Sequence, residues 1–155
     1  MKELICGSRI SLVDDDDYFY LRSIHWRVRT LGTNLKHRYV VDKTGKTISE
    51  YIIGKQPGMV IDHIDGNTLN NTRSNLRFCT HQQNVWNQAK TSKKTNSIFK
   101  GVCLHKPTGK WMAYIRHKHL GLFDHEYLAA KKYDEIAKLV FGEFARLNFR
   151  RGDVL

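Results

Sequence analysis

Val60 to Gln88 reads VIDHIDGNTLNNTRSNLRFCTHQQNVWNQ. Val60-Ile61 is an apolar strand, so Asp62 and His63 at its end diverge to opposite sides or at a bend. Gly66-Asn67 begins a loop rich in Asn, Thr and Ser, residues that bond locally to backbone. Leu76 to Phe78 reads as a returning strand. Thr80 is placed as the N-cap of a helix running from His81 to about Lys90, with Asn84 one turn in. The stretch predicts a ββα unit with a long polar loop between its strands.

The 155 residues allow one ordinary domain or two small ones with modest cores. Lys and Arg number 26 against 15 acids, a net charge of +11. That excess points to a polyanionic partner, and charge alone leaves nucleic acid and anionic membrane both open. No apolar run approaches membrane-spanning length and no charged-apolar-small leader opens the chain, so a soluble, cytoplasmic protein is expected. Cys6, Cys79 and Cys103 are isolated and odd in number, which argues against a disulfide scaffold and a cysteine zinc site.

Upstream of the opening stretch, residues 1–57 read as short strands and turns around one short helix. Ile5 to Val13 alternates loosely, as a strand would. The acidic run Asp14 to Asp17 suits a helix cap and first turn. Trp26–Thr30 and His37–Asp42 read as strands, Lys43 to Lys46 as a turn, and Thr47–Ile53 as a strand or short helix. Arg27, Arg29, Lys36, His37 and Arg38 make this region basic, as either a solvated face or a DNA backbone contact.

Downstream, residues 88–97 have a linker composition, and Lys90, Lys93 and Lys94 there are candidates for phosphate contact. The last third changes character. FKGVCLH, a KPTGK turn, WMAYIRH and LGLF read as three strands. Ala129, Ala130, Tyr133, Ala137, Val140 and Phe141 then recur at helical spacing, with Gly142 placed to end the helix.

Asp62-His63, Asn75-Leu76 and Asn84, over roughly residues 50–90, resemble the motifs of the HNH nuclease family, in particular the phage and intron homing endonucleases. The resemblance implies metal-dependent hydrolysis of double-stranded DNA, leaving 5′-phosphate and 3′-hydroxyl ends. Asp62 and Asn84 would be the metal ligands, hard oxygen donors suited to Mg²⁺ or Mn²⁺. His63 would take the proton of the attacking water. Asn75 would tie the loop across and hold His63 in orientation. The family's last position is often His; Asn84 there fits the homing branch and favours Mg²⁺ over Zn²⁺. Asp65 reads as loop-forming, His81 as a cap or phosphate contact, and Asn87 as a supporting residue on the Asn84 face.

Phe99-Lys-Gly-Val102, WMAYIR at 111–116, Leu120 to Asp124, the helical Ala-Ala and Tyr-Asp, and Leu147 to Phe149 resemble the APETALA2/ethylene-response-factor DNA-binding domain. The resemblance implies a three-stranded sheet, backed by a helix, that enters the major groove. Ala113 and Ile115 should face the helix, and Met112, Tyr114 and Arg116 should face outward. Trp111 reads as core. Lys100, Arg116, Lys118 and His119 are the candidates for DNA contact. Cys103, His105 and His119 stand where the plant domains carry arginines and a tryptophan, so the plant recognition sequence does not transfer.

The expected architecture is α+β: a ββα-metal HNH nuclease module followed by a three-stranded sheet plus helix DNA-binding module. The expected boundaries are a nuclease domain over 1–90 with a strand-rich preamble, a linker at 91–97 and a DNA-binding domain over 98–150. The expected function is a homing-type, phage-encoded HNH endonuclease acting as a monomer in the host cell. The rivals are a non-catalytic DNA-binding regulator with a decayed nuclease domain and a restriction or defence nuclease.

Overall fold

A computed structural model describes residues 1–30, 38–90 and 96–149. The chain divides into two compact units, Met1–Asn84 and Val85–Leu155. Both mix helix and sheet, as expected for α+β. Lys36, His37, Lys93 and Lys94 lie outside the described residues.

The first unit opens with a hairpin of β1 (Lys2–Cys6) and β2 (Arg9–Val13), paired from Lys2↔Val13 to Cys6↔Arg9. The expected single strand over Ile5–Val13 is thus two. Gly7 at φ +60° turns the chain in two residues, a conformation that costs glycine little. The turn restarts the alternation, burying Leu4, Cys6, Ser11 and Val13 while Ile5 and Ile10 face solvent. Helix α1 (Asp15–Leu21) follows, with Asp14 at its N-cap position but making no side-chain cap bond. Asp14 Oδ2 instead accepts from the Arg73 backbone N–H at 2.7 Å, and Asp17 takes the Arg73 guanidinium at 2.9 and 2.6 Å. The acidic run therefore anchors a distant loop as well as starting a helix.

Strands β3 (Arg27–Thr30) and β4 (Arg38–Val41) pair antiparallel. Residues Ile48–Ile53 form α2, opened by a capping box in which Thr47 and Glu50 satisfy each other's backbone N–H. This decides for helix where the pattern allowed a strand. The core of the unit gathers Leu4, Cys6, Val13, Leu21, Trp26, Val40, Ile48, Ile52 and Leu76. Burial of these side chains is the main stabilising term, and Trp26 satisfies its indole N–H on the Leu21 carbonyl at 2.9 Å.

Strands β5 (Val60–His63) and β6 (Leu76–Cys79) pair antiparallel from Val60↔Cys79 to His63↔Leu76. Helix α3 (His81–Asn87) follows. Thr80 caps it, accepting from Gln83 N at 3.2 Å while Gln83 Oε1 accepts from Thr80 N at 2.8 Å. The helix stops three residues short of the expected Lys90. Lys100 Nζ donates to the Trp86 and Gln88 carbonyls, each at 2.6 Å, and so occupies acceptors at its C-terminal end.

The second unit holds an antiparallel sheet in the order β7 (Val102–His105), β8 (Lys110–Ile115), β9 (Lys118–Phe123), with α4 (Glu126–Phe141) across it. Ala113 and Ile115 are buried, as are Ala129, Ala130, Tyr133, Ala137 and Phe141 of α4. Val140 is not: it faces outward. Trp111 packs with Val102, Ala113, Ala129 and Ala130. The segment after α4 is tied down by buried Asp134, which accepts from the backbone N–H groups of Asn148 and Phe149. Asn148 in turn exchanges hydrogen bonds with the Lys100 backbone.

Candidate functional site

The β5–β6 register sets the geometry. Asp62 stands opposite Arg77, and His63 opposite Leu76. Both Asp62 and His63 are buried, at 4% and 9% exposure. Arg77 donates Nε to Asp62 Oδ2 at 2.9 Å and brings Nη2 within 2.8 Å of the same oxygen. A buried carboxylate bonded to such a partner is fixed in orientation.

His63 Nε2 lies 3.1 Å from Asn71 Oδ1. Burial lowers the imidazole pKa, and outweighs the Asn71 bond and the charges of Asp65 and Asp62, which raise it. The ring is therefore poised neutral near pH 7, the state of a proton acceptor.

Asn75 does tie the loop across, but not to His63. Its Nδ2 donates to Asp65 Oδ1 at 2.9 Å and to the Asn70 carbonyl at 2.7 Å, and its Oδ1 accepts from Asp65 N at 3.0 Å. The side chain that meets the His63 ring is Asn71, while Asn75 spends its amide closing the 64–75 loop beside it. Asp65 is the hub of that loop. Burial raises its carboxyl, but hydrogen bonds from Asn67, Asn70 and Asn75 win and hold it below the usual range.

Asn84 is half-buried in α3. Nearby Cys79 has its thiol raised first by burial and then by the Asp62 charge, while the Arg77 charge and a hydrogen bond with the Asn84 backbone oppose. A carboxylate and an amide oxygen, the donors that Asp62 and Asn84 would offer, are hard ligands of the kind that suits a cation that keeps water. Among the described residues no three His, Cys, Asp or Glu side chains are grouped to hold a metal. His81 is exposed and Asn87 is buried.

The basic candidates of the second unit separate into two sets. Lys90 Nζ donates to the Phe99 and Val102 carbonyls at 2.7 and 3.1 Å, and burial lowers its pKa. Lys100 is bound as described, and burial, then Arg146, lowers it to about 8. Both ammonium groups are turned inward onto backbone carbonyls. Arg116, Lys118 and His119 are exposed. Arg116 is not a strand residue: β8 ends at Ile115, and Arg116 sits at φ +52° in a two-residue turn, since Ile115 pairs with Lys118. Its guanidinium lies 5.1 Å from the Trp86 ring centroid and 5.4 Å from that of Phe141, a cation–π arrangement.

Sequence reasoning missed Arg77, Asn71 and the role of Ser11 beneath it. The β5–β6 register would have found Arg77, but four asparagines in the 64–75 loop gave no signal to choose Asn71.

Residues 46–86 match a family model described as HNH endonuclease. An uncharacterised HNH endonuclease, L560, of Acanthamoeba polyphaga mimivirus is 38% identical over 122 residues, covering 76% of this chain and 59% of the relative. Protein 3.8 of Escherichia phage T7 is 44% identical over 58 residues, covering 37% and 47%. The dehydration-responsive element-binding protein 2A of Arabidopsis thaliana is 44% identical over 61 residues, covering 36% and 18%. The chain therefore spans about half the length of the first two relatives. No solved structure matches. The segment that carries Asp62, His63, Asn75 and Asn84 is thus the part of the chain that is similar to HNH endonucleases.

Proposed function

We propose that this protein is a homing-type endonuclease that hydrolyses phosphodiester bonds of double-stranded DNA, leaving 5′-phosphate and 3′-hydroxyl ends. The observation that carries the reading is the buried Asp62-His63 pair on β5, one side chain bonded to Arg77 and the other pushed by burial toward its neutral form. Asp62 and Asn84 would hold Mg²⁺ or Mn²⁺. When bound, that ion supplies electrostatic stabilisation of charge on the phosphate and the leaving oxygen. Arg77 orients Asp62, His63 accepts the proton of the attacking water, and Asn75 keeps the loop closed over the strand ends.

Targeting is assigned to the second unit. The three-stranded sheet carries exposed Arg116, His117, Lys118 and His119 together at the β8–β9 turn, and this cluster is proposed to lie on DNA. Lys93 and Lys94 are proposed as further phosphate contacts. Lys90 and Lys100, bonded to carbonyls, serve the fold instead. The protein is proposed to act as a monomer. Among the described residues no helix is long and apolar enough to cross a membrane.

The test is plasmid cleavage by the purified chain with Mg²⁺, with Mn²⁺ and after exhaustive chelation. Asp62→Ala and Asn84→Ala should each weaken metal-dependent cutting. Cleavage that survives chelation would remove the metal from the reading. One observation favours a second reading, a non-catalytic DNA-binding regulator: Arg77 already neutralises Asp62 and competes with a cation for Oδ2. Metal-independent DNA binding with no cutting under any divalent cation would select it.

A further inference from the structure

A chain of hydrogen bonds runs from His63 into the N-terminal hairpin. His63 Nε2 meets Asn71 Oδ1 at 3.1 Å. Asn71 Nδ2 donates to the Thr68 carbonyl at 3.2 Å and to Ser11 Oγ at 2.9 Å. Ser11 Oγ donates to the Leu69 carbonyl at 2.9 Å. Ser11 is fully buried and Asn71 is 2% exposed, so water does not compete for these bonds.

The two carbonyls fix every direction. A carbonyl only accepts. Ser11 must therefore spend its single proton on Leu69, and can only accept from Asn71. Asn71 must turn its amino end toward Thr68, so its oxygen faces His63. An amide oxygen only accepts, so His63 Nε2 must carry a proton. In the neutral imidazole the lone pair is then on Nδ1.

The loop cannot drift from this arrangement without breaking backbone bonds. Leu12 N donates to the Leu69 carbonyl, and Asn71 N to the Leu12 carbonyl, both at 2.8 Å. Strand β2 is therefore the rail on which Asn71 is mounted.

We propose that Asn71, held by Ser11 of β2, is a positioning residue that fixes His63 in its Nε2–H tautomer and so makes Nδ1 the nitrogen that takes the proton from the attacking water. This rests on the endonuclease reading. In the step, a water O–H proton passes to Nδ1 as the water oxygen forms a bond to phosphorus. The P–O3′ electron pair leaves with the 3′ oxygen, which is protonated from solvent. The imidazolium returns its proton to solvent before the next turnover.

The experiment is ¹⁵N NMR of the His63 ring in the full chain at mildly alkaline pH, assigned by comparison with His63→Gln. Single-turnover and steady-state DNA cleavage of the parent, Ser11→Ala and Asn71→Ala accompany it. The parent should show Nδ1 as the unprotonated nitrogen. Asn71→Ala should mix the tautomers and lower kcat on the order of 10²-fold while KM for DNA holds. Ser11→Ala, which leaves the Thr68 bond in place, should shift both readouts in the same direction by less. An Nδ1–H imidazole in a chain that cuts DNA would overturn the relay and leave the endonuclease reading standing. So would an Asn71→Ala chain with the parent's tautomer and kcat. Should Asn71→Ala not fold, the parent's ring nitrogens and Ser11→Ala still decide. A parent with the Nε2–H tautomer that cuts no DNA would sink the endonuclease reading, and with it the role of Nδ1, while the hydrogen-bond chain stood.

Discussion

Burial holds the His63 imidazole below its ordinary pKa, beside the Asp62 carboxyl that Arg77 grips. On the proposed reading a neutral imidazole there is the base for the attacking water, so His63→Ala should lose on the order of 10²- to 10⁴-fold in cleavage rate while DNA binding persists. Rate and binding measured on one preparation check this, and near-normal turnover would remove His63 from the mechanism. A second carboxylate offers a stability test. Burial raises the Asp42 carboxyl, but donors from Thr44, Tyr51 and Lys46 outweigh it and hold the pKa below the usual range. Unfolded Asp42 takes up its proton near ~3.9, above the folded value. Its stabilisation is therefore whole above that pH and is lost as pH falls toward the folded pKa. Asp42→Asn should flatten the acid limb of the thermal midpoint; an unchanged limb would show that Asp42 does not set it. At this scale Asp62 and His63 were legible because they are adjacent in sequence. Arg77 and Asn71 were not, because one depends on strand register and the other on how a loop closes.

Elements were legible where one local signal governed them. Thr80 with Gln83 caps α3, and Gly142 at φ +55° ends α4. Thr80→Ala should cost about 1 kcal/mol, read as a shift in denaturant midpoint. The strand-or-helix ambiguity at Thr47–Ile53 was settled by the capping box, and the β1–β2 hairpin by the positive φ of Gly7. The end of α3 could not be read locally, since Lys100 supplies the cap from further along the chain. Nor could the reason for Gly101. It sits at φ +71°, and an added Cβ would overlap the Tyr133 ring. Because Tyr133 is itself buried in α4, neither side can give way. Gly101→Ala should therefore unfold the second unit or lower its melting temperature steeply; parent-like melting would mean that Tyr133 has room to move.

For the whole molecule, the net charge of +11 implies a large phosphate-contact term. About six neutralised phosphates would give a log-log salt slope of binding near roughly −5. Lys118→Ala should shrink that slope by about one unit, equally on every sequence, if Lys118 touches phosphate. Arg116→Ala should cost about 1–3 kcal/mol, varying with one base pair, if Arg116 reads a base edge. Its stacking on Trp86 and Phe141 adds a fold role that a thermal melt of the same variant separates. The change of pattern near residue 98 is the sequence signal for a two-part plan, and the compact units divide earlier, between Asn84 and Val85. The inward turn of Lys90 and Lys100 was not, since charge in a sequence does not say which ammonium groups reach solvent. The most direct single measurement is cleavage of supercoiled plasmid with Mg²⁺ by the parent chain and by His63→Ala, side by side. The parent should nick or cut the plasmid, leaving ligatable 5′-phosphate and 3′-hydroxyl ends, and His63→Ala should bind it nearly intact. Equal cutting by both proteins, or none by the parent, would contradict a hydrolytic site built on Asp62 and His63.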